Sequence, residues 1–271
     1  MTRTATLDNA PDDLWVHGPA GRVCVRRWFP GATVPAAQRA PIVLLHESLG
    51  CIEQWRDFPA ELCQATGRMV VAYDRPGFGR SERLSAPPAA SFIEDEANDA
   101  FAAVREQLGL ERFVVLGHSV GAGMAVHCAA RFADACQALI TLSAVTFVEP
   151  RTLDGIRQAR AWFADPVQRE RLRRFHGERS DWVLGAWIDT WLDPGFAGWS
   201  LEPALPAVRC PTLVVHGSDD EFGSERHPQL IGRHAGGPVE QALLPGVGHV
   251  PHREQPQQVL ARIAQFLAPI G

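Results

Sequence analysis

The 271-residue sequence contains no lysine: all 26 basic residues are arginine, set against 31 acidic ones for a net charge of -5. Uniform arginine reads as a compositional habit, and no basic stripe suited to a nucleic-acid partner appears. The densest run, RERLRRFHGER at 169–179, is interrupted by acids and reads as the solvated face of an amphipathic helix. Nowhere do about 18 apolar residues follow one another, and the opening MTRTATLDNAPDDLW has no apolar signal core. Neither a membrane span nor a secretory leader is expected, and the expected compartment is the cytoplasm. The six cysteines (24, 51, 63, 128, 136 and 210) form no C-x-x-C pair, so they are expected to be small buried side chains rather than disulfides or zinc ligands. Repeats and low-complexity tracts are also missing. A chain that is 46% hydrophobic and 21% charged is expected to fold around one large core.

What is present alternates. VCVRRWF (23–29) has the period of an early antiparallel strand, while PIVLLHE (41–47), RMVVAYD (68–74), FVVLGHS (113–119), ALITLSAV (138–145) and TLVVHG (212–217) are continuous apolar runs. Such runs indicate strands covered on both faces, and VEQALLPG (239–246) adds a weaker one. Between them lie helical patterns over 91–109, 120–132 and 256–267. The fold class predicted is α/β, a mostly parallel sheet flanked by helices. Residues 146–208 break the alternation, with helical patterns and no convincing strand. They predict a helical lid inserted into a core made of 1–145 and 209–271. Within it Val183, Leu184, Trp187, Ile188, Trp191 and Leu192 share one helical face, which suits either packing or the roof of an apolar pocket.

The chemistry is concentrated at VVLGHSVGAG (114–123), where Ser119 stands between Gly117 and Gly121 at the end of a buried strand. A serine hydroxyl is a weak nucleophile that needs a base and an exposed position. A strained strand-to-helix turn flanked by residues without Cβ supplies that exposure. The Val120 N–H at the start of the next helix is then placed to meet an oxyanion.

With this context the sequence resembles the α/β-hydrolase superfamily over almost its whole length. VLLHESLGCIEQW is similar to that family's His-Gly oxyanion segment, AYDRPGFGRSE to its next loop, and LVVHGSDDE and PGVGHVPHREQP to its acid and histidine segments. The resemblance implies a Ser-acid-His order, with Asp220 as the acid at the G-x-x-D spacing and His249, preceded by glycine, as the base ahead of its neighbour His252. It implies Ser48 as the second oxyanion donor, although Glu47 stands where glycine is usual. Glu47 is expected either to turn outward or bond neighbouring backbone, or to lie near the pocket and repel anions. Asp74, Gly77 and Gly79 are expected to shape a loop, His46 and His118 to support the site by packing or hydrogen bonds, and Trp187 and Trp191 to line a substrate pocket, while Trp55 either lines that pocket or packs under the loop. Asp219, Asp220 and Glu221 are adjacent acids, yet the assembled chemistry needs neither metal nor cofactor.

The activity expected is serine hydrolysis of a carboxylic ester or thioester of a small apolar or aromatic substrate through an acyl-enzyme. Carbon–carbon bond hydrolysis of a ring-cleavage type is the alternative, as is a ligand-binding protein with little turnover. A small molecule is the expected partner, and the sequence leaves the oligomeric state open.

Overall fold

The computed structural model describes residues 10–31 and 39–271. The beginning of the stretch read as lacking a leader lies outside the described residues. Eight strands form one sheet: β1 (Asp12–Gly18), β2 (Gly21–Trp28), β3 (Ile42–Leu45), β4 (Val70–Tyr73), β5 (Phe113–His118), β6 (Cys136–Leu142), β7 (Thr212–Gly217) and β8 (Val239–Leu244). Their spatial order is β1-β2-β4-β3-β5-β6-β7-β8, parallel from β4 to β8, with β1 and β2 antiparallel at one edge.

The helices are α1 (Phe58–Thr66), α2 (Phe92–Asp95), α3 (Ala100–Gln107), α4 (Val120–Arg131), α5 (Pro150–Trp162), α6 (Pro166–His176), α7 (Ser180–Leu192), α8 (Arg226–His234), α9 (Pro251–Glu254) and α10 (Pro256–Leu267). The period of two along a strand divides them between the faces. In β3, Ile42 and Leu44 join Phe58 and Leu62 of α1 and Leu260 and Ile263 of α10. Val43 and Leu45 join Phe101 of α3, Met124 of α4 and Ile231 of α8. Both faces are thus covered, which is why the central runs are apolar without alternation. Between β6 and β7 come α5, α6 and α7 and no strand of the sheet; a lone bridge links Phe147 to Ser200.

Two local features depart from the sequence reading. β1 was not anticipated, because this edge strand buries only Val16 fully and carries charge outward, with Asp12 and Asp13 paired to Arg27 and Arg26. The single helix expected over 91–109 is broken between α2 and α3. There Glu96 turns inward to accept the Tyr73 hydroxyl hydrogen bond at 2.5 Å, and Asp99 leaves helical geometry at φ -101°, ψ -100°. All six cysteines are free and buried. Among the described residues no helix is long and apolar enough to cross a membrane.

Candidate active site

Parallel strands deliver their C-terminal ends to one edge of the sheet, where open α/β sheets hold ligands. Ser119 follows β5, Glu47 and Ser48 follow β3, Asp220 follows β7, and His249 follows β8. Ser119 has φ 55° and ψ -121°, a conformation side chains rarely adopt. The glycines make this turn possible: a Cβ at Gly117 would collide with the Gly121 carbonyl, and one at Gly121 with the Leu45 and His46 carbonyls.

The three side chains meet. Ser119 Oγ lies 2.9 Å from His249 Nε2, and His249 Nδ1 lies 2.9 and 2.8 Å from the two Asp220 oxygens. Asp220 Oδ1 also accepts the Phe222 and Gly223 N–H groups at 2.8 and 3.0 Å. Burial works to raise the Asp220 pKa, but the His249 hydrogen bond and charge hold the carboxyl below its ordinary range. Burial likewise works to lower that of His249, and the Asp220 hydrogen bond and charge outweigh it, leaving His249 above the ordinary 6.5. By contrast burial, with Arg253 and His249 nearby, drives His252 down to about 3. His252 packs its ring on His118 and Trp55 at 4.8 and 5.1 Å. Such a serine–imidazole–carboxylate chain can move a proton off a hydroxyl and return it to a departing group.

The loop after β3 has a fixed peptide. The Glu47 carbonyl accepts from Gly50 N–H at 3.0 Å, His46 Nδ1 at 2.8 Å and Arg75 Nη2 at 3.0 Å. Three donors anchor the carbonyl to one side, so the Ser48 N–H of the same trans peptide points to the other. Among the described residues neither that N–H nor the Val120 N–H has an acceptor in the chain. The Glu47 Oε2 accepts the Leu49 N–H at 2.6 Å, and Glu47 also stands in the cavity wall. Burial raises its pKa. Asp74 accepts the Ile52 and Arg80 N–H groups at 2.7 and 2.8 Å, which makes it a loop fastener. His118 donates from Nε2 to the His249 carbonyl at 2.8 Å and so supports the histidine loop.

A cavity of about 470 Å³ holds Ser119 and His249, with Leu49, Ile156, Phe163, Trp187, Trp191 and Phe222 among its apolar walls. A second, of about 380 Å³, shares Ser48, Trp187 and Trp191 with it and adds Val120, Met124, Phe78 and Trp182. Trp187 and Trp191 therefore stand where the α7 face pointed. Trp55 does not: it lines neither cavity, being buried under the loop against Phe58 at 5.9 Å and His252. The wall made by Thr152, Ile156 and Ala159 of α5 and by Phe163 directly after it was missed, though its spacing of four, three and four residues is a helical signal. The adjacent acids diverge, with Asp219 taking the Ser218 hydroxyl and Glu221 the His249 N–H. Among the described residues no three potential ligands converge on a metal position.

Known proteins bear on this geometry. The profile of the alpha/beta hydrolase fold matches residues 40–176, more than half of the chain. The chain belongs to the alpha/beta hydrolase fold family. Human 1-acylglycerol-3-phosphate O-acyltransferase ABHD5 is 31% identical over 127 residues, 46% of this chain and 36% of that protein, so the chain spans little more than a third of that relative's length. Human serine hydrolase BPHL is 27% identical over 208 residues, 72% of this chain and 68% of its own. Among solved structures, proline iminopeptidase from Mycobacterium smegmatis superposes with TM-score 0.71 at 24% identity, covering 95% of this chain and 98% of that one. An esterase from Thermogutta terrifontis gives 0.70 at 21% identity, covering 95% and 98%. The solved structures share the fold.

Proposed function

We propose that this alpha/beta hydrolase cleaves a carboxylic ester or thioester of a small apolar or aromatic substrate through an acyl-enzyme on Ser119. The observation that carries the reading is the hydrogen-bonded series Ser119, His249, Asp220 opening into an apolar cavity. Ser119 Oγ attacks the carbonyl carbon while its proton passes to His249 Nε2. Asp220 faces the imidazolium that results. The Ser48 and Val120 N–H groups receive the oxyanion, each donor lowering the barrier by about 3 kcal/mol. Collapse expels the leaving group with the proton from His249, and water repeats the sequence to release the acid.

The proton route also orients the substrate. His249 must reach the leaving atom, so the leaving group occupies the cavity that contains His249. The acyl group then extends past Ser48 and Val120 into the second cavity. Residues 146–208 act as a lid on the core formed by 1–145 and 209–271, with Trp187 and Trp191 as the partition between the two cavities.

The test is a panel of activated acyl esters and thioesters of graded chain length and aryl character, with turnover and intact mass recorded for the parent protein and Ser119→Ala. Turnover lost in the variant, with an acyl adduct on Ser119 in the parent, supports the reading. No turnover and no adduct across the panel would shift it to carbon–carbon bond cleavage or ligand binding.

A further inference from the structure

Beside Asp220 lies a second histidine that the proposed mechanism does not use. His216 occupies the penultimate position of β7 and is 1% exposed. Its Nε2 is 3.2 Å from the Gly223 carbonyl, which can only accept, so Nε2 carries the proton. The same nitrogen is 3.7 Å from Asp220 Oδ2. That oxygen is the less satisfied of the two, for the Phe222 and Gly223 N–H groups both bond Oδ1. The His216 N–H is given to the Gly223 carbonyl, and at 3.7 Å the protonated nitrogen lies near the carboxylate oxygen that also faces His249 without hydrogen-bonding it.

The surroundings hold His216 in this orientation. Gly223 fits between two imidazoles: a Cβ there would come within 2.7 Å of His227 and 3.4 Å of His216. His227 is fixed in turn, taking the Thr146 N–H on Nδ1 at 3.0 Å and meeting Glu149 through Nε2 at 3.1 Å. Glu149 also accepts the Ser224 N–H and hydroxyl at 2.7 and 3.0 Å. A buried ring with an unpartnered Nδ1 is a costly way to support one carbonyl, since an apolar side chain would fill the same space without an orphan acceptor.

We propose that His216 is a positioning residue for the Ser119 reaction, its neutral Nε2–H tempering the basicity of Asp220 Oδ2 and thereby setting the proton affinity of His249. A carboxylate beside the positive end of an additional N–H dipole is a weaker partner for imidazolium. Removing the His216 donor thus strengthens the Asp220–His249 bond and raises the His249 pKa. The charged or titratable groups around His216 are Asp220, His249, Glu225, His227 and the more distant Glu149. All but His216 remain in the variants below. The inference rests on the proposed function for its consequence in catalysis, but not for its effect on His249.

The experiment compares His216→Phe, which fills the space without a donor, with His216→Gln, whose amide reaches where Nε2 stands. Should the Phe protein fail to fold, His216→Leu takes its place. The His249 pKa is read from ring signals of isotope-labelled histidine, and kcat/KM against pH is measured on the best ester of the panel. The expected result is a His249 pKa raised by about half a unit or more in His216→Phe and returned toward the parent in His216→Gln, with the acid limb of kcat/KM moving in step. Equal pKa values in parent, Phe and Gln proteins, or equal displacement in both variants, would overturn the inference. Because the ring titration needs no turnover, an inert protein would count against the hydrolase reading while the His249 shift still decides this one.

Discussion

Replacing Asp220 by asparagine probes the proposed proton route with little change in shape. In the parent, Oδ1 accepts two backbone N–H groups at 2.8 and 3.0 Å, while Oδ2 faces His249 Nδ1 at 2.8 Å. An asparagine has a single carbonyl oxygen, and the two backbone donors take it. Its NH2 group must then occupy the Oδ2 place and donate to His249 Nδ1. The imidazole is forced into the tautomer with hydrogen on Nε2, which is 2.9 Å from Ser119 Oγ and can no longer accept a proton from it. The loss expected is about 10⁴-fold in kcat, or about 5.5 kcal/mol of barrier, because the base is held in the wrong form rather than merely misplaced. Stability changes little, since both backbone bonds survive. Steady-state kinetics on an activated ester, alongside thermal melting of the two proteins, makes the comparison. A folded Asp220→Asn protein retaining more than a tenth of the parent kcat would refute this reasoning.

Three further outcomes are expected. Trp187→Ala removes wall shared by both cavities and should raise KM for aryl esters roughly tenfold, about 1.4 kcal/mol of contact, whereas Trp55→Phe should change KM less than about twofold; a KM series on both variants separates them. Gly121→Ala should destabilise the fold by more than about 3 kcal/mol in urea titration, because the new methyl would displace the Leu45 carbonyl at the centre of the sheet. Burial holds His176 at about 4 and His252 at about 3, so the unfolded chain binds protons first as pH falls. Their contribution is complete above about pH 6.5 and is lost progressively below it, and denaturant midpoints should drop steeply between pH 6.5 and 4. A flat midpoint over that range would contradict the assignment.

The sheet centre and the elbow were legible because several constraints coincide on the same residues. Buried parallel strands demand unbroken apolar runs, and the approach of α4 to β3 demands glycine at 121, so Ser119 was marked by both. β1 was not, since an edge strand needs burial at only one residue and its ion pairs are tertiary. The break between α2 and α3 depends on the Tyr73 hydroxyl reaching Glu96 from 23 residues away, which no local pattern records. Trp55 shows the converse: a tryptophan near the oxyanion segment invites a pocket role, but its ring is spent on Phe58 and His252. The support of Ser48 was equally hidden, because it lies in which donors the Glu47 carbonyl collects from His46, Gly50 and Arg75.

The proposed chemistry depends above all on a covalent bond at Ser119. Rapid-quench intact mass spectrometry with an activated ester, followed by peptide mapping, reads it directly. The expected result is a transient acyl adduct on the peptide containing Ser119, absent in Ser119→Ala and accumulating when deacylation is slowed. Turnover of the ester with no adduct there, or undiminished turnover by Ser119→Ala, would contradict it.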